Sequence, residues 1–413
     1  MTPVSRRWPV AVAGVAMQVA LGAVYAWSVF RIPLSETFGW TISEVTLTFT
    51  IAIFVLGFAA FAGGVWMRQA GPRTVALAAG VLYGLGVLLA GLADGRLWWM
   101  YGSYGLMAGI GLGFGYIVPV ATLVRWFPDR RGMITGIAVA GFGAGALITA
   151  PAATRLIAVV GPQQTFVILG LAYLGAVVVA ALFMRNPPPG YVPEGWTPSA
   201  AQQRQRATRA YTLREALATW PWYGLWALLF LNTTAGIAII SQAAPMAEEI
   251  TGVSAATAAG LVGAISIANG AGRFLWASLS DIIGRRTVFL LMFPLQGLVF
   301  ALLPVVDSFA AFTALACVIL LCYGGGFGTM PAFAADRFGA ENVGSIYGLM
   351  LTAWSCAGVL GPMLIAMIRE QTGRYQDALY VIAVLMFVST AIPVLLGRER
   401  TAAVSTPVPA KTT

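Results

Sequence analysis

Residues 8–30 read WPVAVAGVAMQVALGAVYAWSVF, a run of 23 residues without a charged side chain. At about 1.5 Å per residue, a helix of this length crosses the ~30 Å hydrocarbon core of a bilayer. The apolar region of a cleaved signal peptide is shorter. The run therefore predicts a membrane-spanning helix that remains in the protein.

The rest of the chain repeats this character. Of its 413 residues, 59% are hydrophobic and only 9% are charged, whereas soluble domains carry about 25% charged residues. The apolar runs are long and continuous, which favours helices over the alternating strands of a barrel. The sequence thus predicts an all-α membrane protein with twelve transmembrane helices, at 8–31, 43–66, 74–93, 97–124, 131–158, 163–184, 220–247, 255–280, 286–305, 308–335, 343–368 and 376–397.

An internal repeat divides these spans into two pseudo-symmetric six-helix halves. A constant shift of 212 residues relates Trp8-Pro9 to Trp220-Pro221, Pro119 to Pro331, Arg125 to Arg337, Gly132 to Gly344 and Gly136 to Gly348. Two parallel halves related by an axis along the membrane normal are one architecture of transporters. We expect one bundle over 1–184, a cytoplasmic linker over 185–219, a second bundle over 220–397 and a cytoplasmic tail over 398–413.

The basic residues predict the orientation. The formal net charge is +9, but the arginines lie in short loops between spans, which argues against a nucleic-acid partner. With the N-terminus inside, 18 basic residues lie on the cytoplasmic side, five lie outside and Arg273 lies in the membrane. This asymmetry predicts an inner (cytoplasmic) membrane protein with both termini cytoplasmic.

Arg273 lies within the eighth span, in Ser266-Ile-Ala-Asn269-Gly-Ala-Gly-Arg273-Phe-Leu-Trp276. An arginine at the centre of a span costs about 2.5–3.5 kcal/mol on insertion scales and normally faces a polar interior. None of the fifteen acidic residues falls in the middle of a span, so Arg273 has no obvious counter-ion. Its planar fork suits a carboxylate substrate, with Asn269 on the same helix face. A structural salt bridge is the alternative interpretation.

Other mid-span side chains are further candidates for substrate binding. Tyr25 lies in the first span, Tyr116 and Tyr323 border paired glycine-rich runs, and Ser355 lies in the eleventh span. For each tyrosine, packing is the alternative. The glycines permit close helix approach, so their simplest role is helix packing.

Several function classes are disfavoured. The chain has no histidine, and its three cysteines lie in apolar runs, so neither a metal site nor a disulfide framework is expected. The glycine-rich run 109–115 lacks the Lys-Ser/Thr tail of a phosphate loop. We expect no enzyme activity, no metal and no cofactor. The stretches 185–219 and 398–413 are too short to form a receptor's output domain.

The segment Ser280-Asp281-Ile-Ile-Gly284-Arg285-Arg286 follows the eighth span. It resembles the cytoplasmic motif of the major facilitator superfamily, which occurs between helices 2 and 3 and between helices 8 and 9. The resemblance implies a major facilitator fold, in which the acidic residue, here Asp281, caps a neighbouring helix and holds the outward-open state. Gly284 and Arg285 fit the same motif. In the first half Arg68 occupies the acidic position, so any contact that holds the same conformation there must work differently.

A narrower resemblance lies at the fifth span. Arg125-Trp126-Phe127-Pro-Asp-Arg130-Arg131-Gly-Met-Ile-Thr-Gly136-Ile-Ala138-Val-Ala140-Gly141 is similar to the signature of monocarboxylate transporters. The region 25–44 is similar to that family and to its bacterial oxalate–formate antiporter relatives. The family's substrate-binding arginine falls on Arg273, but Asn269 replaces the aspartate of animal members, and no span contains a lysine. Oxalate transporters carry a second cation in helix 11, where 352–356 is uncharged here, so the resemblance favours a monocarboxylate.

The resemblance implies a secondary active transporter of small monocarboxylates such as lactate or pyruvate, working by alternating access and proton symport. Its partners would be the monocarboxylate anion, the proton and the lipid bilayer, with the chain acting as a monomer. The alternative is an oxalate–formate-type organic anion antiporter. A cation or drug exporter is disfavoured because such pumps tend to place acidic residues in their spans.

Overall fold

A computed structural model describes residues 3–198 and 209–404. Over these ranges the chain forms helices and no strand, which confirms the all-α prediction. Its long helices are α1 (3–38), α2 (42–70), α3 (72–90), α4 (Leu97–Trp126), α5 (131–160), α6 (162–181), α7 (Trp220–Thr251), α8 (Ala255–Ile283), α9 (Arg285–Leu302), α10 (Phe309–Phe338), α11 (Val343–Thr372) and α12 (375–404).

Nine helical runs in the described part of the chain are long and apolar enough to cross a membrane. Two of them, Ile42–Ala90 and Arg131–Ala181, each hold two of the predicted spans, and α8 supplies the twelfth. The first of these long runs changes direction at Gly71 (φ 78°, ψ 165°) and the second at Gly161 (φ 78°, ψ 168°). Only glycine adopts this backbone at low cost. A proline follows each glycine and begins the next helix, where its missing N–H is not needed.

α1 is not a uniform α-helix. Its central segment Gly22–Trp27, which carries Tyr25, is a 3₁₀-helix. Here α1 lies against α5 so closely that a Cβ atom on Gly22 would overlap the carbonyl oxygen of Phe142. A mid-helix 3₁₀ segment often marks a hinge or a site of strain, and this one places a tyrosine at the centre of the bundle.

Two seams join the first six helices to the last six. In the α5–α8 seam, a Cβ atom on Gly136 would lie 2.6 Å from the carbonyl oxygen of Arg273. Farther along the same seam, Gly143 approaches Arg273 and Gly270 only loosely, and a Cβ atom on Gly270 would meet no atom within 4 Å. The seam is therefore tight at the end of the bundle that carries Arg131 and Arg285, which we call the basic end.

The α2–α11 seam is also tight at the basic end. There a Cβ atom on Gly64 would overlap the carbonyl oxygen of Gly344, and one on Gly348 would lie 2.7 Å from that of Ala60. Farther along α11, Gly361 meets Thr234 of α7 instead of α2. Both seams thus bring the two groups of helices into backbone contact at the basic end.

The end of the predicted linker is ordered against the turn between α10 and α11. Tyr211 donates its N–H to the carbonyl of Phe338 at 2.8 Å, and Asn342 donates to the carbonyl of Tyr211 at 2.7 Å. A short helix, Leu213–Leu217, follows with a capping box between Thr212 and Glu215. Residues 199–208 of the linker and 405–413 of the tail lie outside the described ranges. The exact bounds of the two bundles stay a prediction.

Candidate functional site

Arg273 lies in α8 at the centre of the bundle and is 0% exposed. Its Nε donates to Asn269 Oδ1 at 3.2 Å, and its Nη1 donates to the carbonyl of Val139 in α5 at 3.0 Å. Nη2 is buried without a hydrogen-bond partner among the described residues. No described carboxylate pairs with this guanidinium, so the salt-bridge alternative finds no support.

Glycines let the backbone of α8 reach this position. A Cβ atom on Gly272 would overlap the carbonyl oxygen of Leu321 in α10, and one on Gly328 would overlap that of Arg273. The glycine-rich run of α10 therefore lets α8 pack closely against it, as small residues do in close helix crossings. On the other side of Arg273, Gly136 of α5 packs against the Arg273 backbone carbonyl.

Five aromatic rings contact one another next to the guanidinium and form what we call the aromatic shell: Tyr25, Tyr116, Phe142, Phe327 and Trp354. The Arg273 Cζ atom lies 5.3 Å from the centroid of Phe327, within range of a cation–π contact. The Trp354 ring lies 4.9 Å from Phe327 and 5.6 Å from Tyr116. Phe142 lies 5.2 Å from Tyr116 and 5.3 Å from Tyr25. The shell thus combines one cation with mostly apolar walls.

The structure brings together five of the six substrate-site residues predicted from the sequence. Tyr25, Tyr116 and Tyr323 all interact electrostatically with the Arg273 guanidinium, and Asn269 bonds it directly. The hydroxyls of Tyr25 and Tyr116 are buried and make no hydrogen bond of ordinary geometry in the described structure, although the Tyr25 hydroxyl lies close to the Arg273 guanidinium and that of Tyr116 close to Tyr347. Unpaired donors next to an unpaired Nη2 atom are arranged to receive an anionic oxygen.

The sixth predicted residue, Ser355, lies in the α2–α11 seam. Its hydroxyl donates to the carbonyl of Phe54 at 2.7 Å, with that of Ile53 at 3.3 Å. A Cβ atom on Gly57 would overlap this hydroxyl. In this conformation Ser355 therefore bonds the backbone of α2, whereas its neighbour Trp354 is part of the aromatic shell.

Buried amides hold the tyrosine backbones of both halves. Gln18 of α1 donates to the carbonyl of Tyr116 at 3.2 Å. Asn232 of α7 donates to that of Tyr323 at 3.0 Å and accepts from Gln296 of α9 at 3.0 Å. The sequence analysis did not identify Asn232 or Gln296, although an amide within an apolar run is a usable signal.

The sequence analysis also missed Phe142, Phe327 and Tyr347 of α11. Tyr347 is 0% exposed and interacts with both Tyr116 and Arg273. An aromatic residue in an apolar helix usually belongs to the packing core, and no spacing rule identifies those that face a cation on another helix. Only the position of Tyr347, seven residues before Trp354 and hence on nearly the same helix face, offered a hint.

Four charged residues at the basic end form what we call the ionic latch: Arg131, Asp281, Arg285 and Asp336. Asp281 accepts from the N–H groups of Gly132 and Met133, at 3.0 and 2.8 Å, and thereby caps the first turn of α5. Arg285 donates to Asp281 at 2.6 Å and to Asp336 at 3.0 Å.

Arg131 of α5 completes the latch by donating to Asp336 at 2.7 Å. The third predicted motif residue, Gly284, makes the turn from α8 to α9 with φ 92°. Two aspartates and two arginines balance each other, and together they connect α5 to α8, α9 and α10. Arg131 and Asp336 were not predicted to pair.

The arrangement suits binding rather than catalysis. Arginine stays protonated in proteins, so the site presents a permanent positive charge. No group of three or more His, Cys, Asp or Glu residues that could hold a metal ion occurs in the described ranges. A fixed cation with unpaired donors, buried between helices, can bind an anion and release it unchanged.

Comparisons with known proteins agree with this architecture. The sequence profile of the Major Facilitator Superfamily matches residues 12–268 and 225–412. The chain is 30% identical to the uncharacterized MFS-type transporter YhjX of Escherichia coli (strain K12), over 86% of each chain. It is 26% identical to the oxalate:formate antiporter of Oxalobacter formigenes, over 94% of this chain and 90% of that one. It is 25% identical to monocarboxylate transporter 13 of Rattus norvegicus, over 92% and 86% of the two chains.

The fold is also that of solved transporters. The structure of FucP, a Major Facilitator Superfamily transporter, superimposes with a TM-score of 0.73 at 14% identity, over 95% of this chain and 98% of that one. This likeness shows the fold, and the profile match spans nearly the whole sequence. The chain therefore belongs to the Major Facilitator Superfamily and is a multi-pass membrane transporter, not an enzyme.

Proposed function

We propose that this protein is a secondary active transporter of small monocarboxylates of the lactate and pyruvate type. The observation that carries the proposal is the buried Arg273 guanidinium, whose Nη2 makes no hydrogen bond of ordinary geometry and which interacts with the buried hydroxyls of Tyr25 and Tyr116. A buried charge without a counter-ion is costly. One carboxylate bound here would supply both the missing charge and the missing acceptors.

The walls of the site favour a substrate with one carboxylate. The ring faces of Phe142, Phe327 and Trp354 offer no second cation, and 352–356 of α11 is uncharged. A second buried carboxylate would lack a counter-ion, and leaving one buried charge unpaired costs about 3–5 kcal/mol. The names of two relatives, an oxalate:formate antiporter and a monocarboxylate transporter, support an organic anion as the substrate.

Alternating access would operate at the two seams. If the basic end is cytoplasmic, as the distribution of arginines predicts, the ionic latch closes the cytoplasmic side. The loose contacts around Gly143 and Gly270 then belong to the opposite, outward-facing half of the α5–α8 seam. Inward release would require Asp281 to leave the first turn of α5.

Proton symport is the proposed coupling, with the proton moving together with the substrate anion near Arg273. The chain has no histidine, and no described carboxylate is among the groups that interact with Arg273, Tyr25 or Tyr116. A second candidate, an organic anion antiporter, is favoured by the same unpaired guanidinium. An empty carrier would have to return with its buried charge uncompensated, whereas exchange keeps an anion bound in every transition.

Uptake of labelled L-lactate into proteoliposomes separates these alternatives. Symport predicts accumulation driven by an inward proton gradient. Exchange predicts uptake that needs preloaded formate or lactate and is indifferent to the gradient. If neither condition gives uptake of lactate or pyruvate, the monocarboxylate proposal is wrong.

A further inference from the structure

A chain of buried amides connects three helices in the second half of the protein. Asn232 of α7 and Gln296 of α9 are both 0% exposed. Gln296 donates to Asn232 Oδ1 at 3.0 Å, and Asn232 donates to the carbonyl of Tyr323 in α10 at 3.0 Å. A Cβ atom on Gly326 would overlap the Asn232 amide nitrogen, so α10 has a glycine where this side chain lies. The amides therefore attach the glycine-rich run 323–328 of α10 to two neighbouring helices.

The attached run of α10 packs against the backbone of the substrate site. A Cβ atom on Gly324 would overlap the carbonyl oxygen of Asn269, and one on Gly328 would overlap that of Arg273. Phe327 of the same run lies 5.3 Å from the Arg273 Cζ atom. Glycines allow this close approach but have no side chain that interlocks with the facing helix. Other contacts must fix the position of α10 along its axis, and directional hydrogen bonds between buried groups can do so.

Among the described residues, the first half has no equivalent chain of amides. Gln18 of α1 donates to the carbonyl of Tyr116 in α4 at 3.2 Å, but its Oε1 atom has no partner in the described structure. The internal shift of 212 residues places Gly84 at the position of Gln296, and a Cβ atom there would overlap Leu174. Apolar packing fills this place in the first half, whereas the second half has an amide that is costly to bury. The difference indicates a role for the amides beyond packing.

We propose that Asn232, held by Gln296, is a positioning residue of the substrate site. Through α10 it fixes the place of Asn269 and Arg273 and thereby sets the affinity for the substrate anion. This proposal rests on the proposed function and adds residues that do not touch the substrate. A guanidinium that binds a carboxylate with two parallel hydrogen bonds needs a well-defined orientation. A small shift of α10 against α8 therefore weakens binding of the anion without changing the groups that bind it.

Replacement of both amides in Asn232→Leu/Gln296→Leu tests this role. Apolar side chains of similar shape can replace a hydrogen-bonded pair at little cost in stability, so the melting temperature should stay within about 4 °C of wild type. The KM for labelled L-lactate in proteoliposomes is expected to rise about fivefold or more, while the maximal rate changes less than about twofold. Thr165→Val is the control, because it removes a buried hydroxyl that donates to the carbonyl of Gly161 at 2.7 Å, next to α6. It should leave the KM unchanged.

The effect of the two leucines should depend on the arginine. Lysine presents a flexible ammonium group that can follow a displaced carboxylate, whereas the planar fork of arginine must be oriented. In an Arg273→Lys background, Asn232→Leu/Gln296→Leu is therefore expected to change the lactate KM less than about twofold. An undiminished effect in this background would show that the amides act elsewhere, and it would overturn the proposal.

Gln296→Met carries the test if the double variant does not fold. Methionine fills a similar volume and leaves the bond from Asn232 to the Tyr323 carbonyl in place, so the lactate KM is expected to rise about threefold, again only when residue 273 is arginine. An unchanged KM in the folded variants, or a lower melting temperature with an unchanged KM, would overturn the positioning role and leave the proposed function intact. Failure of the wild-type protein to take up L-lactate or pyruvate would overturn both proposals.

Discussion

Asp281 accepts a hydrogen bond from the backbone N–H of Met133 at 2.8 Å, so a carboxylate at the end of α8 caps the start of α5. The two residues are 148 positions apart in the chain. A carboxylate at a helix N-terminus interacts favourably with the helix dipole and with unpaired N–H groups. This contact therefore helps to join the two groups of helices, which separate at this end in the proposed alternating-access cycle.

Asp281→Asn is expected to open the basic end. The amide keeps the size of the side chain but loses the charge that pairs with Arg285, and charge-assisted hydrogen bonds contribute about 1.5–3 kcal/mol. Ala277 of α8 is buried in the α5–α8 seam. Alkylation of the thiol in Ala277→Cys, in a background whose natural cysteines are replaced, should accelerate about tenfold or more. Asp377→Asn, which breaks an exposed pair with Arg374, is the control. Equal alkylation rates in both variants would contradict the role of Asp281.

Arg273→Lys is expected to raise the KM for L-lactate by about tenfold or more, and Arg273→Gln to abolish transport. Lysine keeps the charge but replaces a planar fork with a single ammonium group. It cannot bond Asn269, Val139 and a carboxylate in the geometry seen here. Arg374→Lys at an exposed position is the control. Normal transport by Arg273→Gln at unchanged expression would place the substrate site elsewhere.

Gly136→Ala is expected to destabilise the closed α5–α8 seam. Its Cβ atom would lie 2.6 Å from the carbonyl oxygen of Arg273, and overpacking typically costs about 1–3 kcal/mol. Gly175→Ala in α6 is a matched control, because no atom lies within 4 Å of its added Cβ and alanine favours a helix. The melting temperature of the purified protein should fall only for Gly136→Ala. A similar change in both variants would show that the contact at Gly136 is unimportant.

The ordered end of the linker is expected to be insensitive to pH in the physiological range. Hydrogen bonds from the Thr212 backbone N–H, the Arg209 guanidinium and the Thr212 hydroxyl lower the pKa of Glu215 to about 2. A lowered carboxyl pKa stabilises the folded state above the ordinary value of 4.5, and this stabilisation is lost only as pH falls towards 2.

Glu215→Gln should therefore leave the shape of the transport pH profile unchanged between about pH 5 and 8. Uptake of L-lactate measured across this range, with wild-type protein as the reference, checks the expectation. A shift of the profile in Glu215→Gln would show that the linker takes part in coupling.

Much of the fold could be predicted because a helix that crosses a bilayer must be about 20 residues long and mostly apolar. The spans and the exceptional position of Arg273 follow from this rule, whereas the paired glycine runs were found from the internal repeat. The connections were less predictable, since Gly71 and Gly161 each reduce an expected loop to a single turn residue. Whether a Gly-Pro pair ends one helix or merely bends it depends on neighbouring helices.

The site was predictable where chemistry is unusual for its surroundings and unpredictable where it is ordinary. Arg273 and Asn269 are polar in an apolar run and therefore stand out. Trp354 and Phe327 look like core residues until the structure shows Phe327 against the guanidinium and Trp354 against Phe327. Asp336 lies at the end of a span, where a charge is unremarkable in sequence, yet it is 6% exposed between two arginines.

The two seams differ in how they can part. The α2–α11 seam joins backbone to backbone through Gly64 and Gly344. Separation there loses close packing and exposes no charged group whose hydration could compensate for the loss. The α5–α8 seam has close glycine contacts as well, but it is also held by aspartates and arginines, whose lost attraction is largely offset by hydration once water enters. Opening of the basic end should therefore begin at the α5–α8 seam, where water can hydrate the separated charges. The α2–α11 seam would stay packed and act as the hinge.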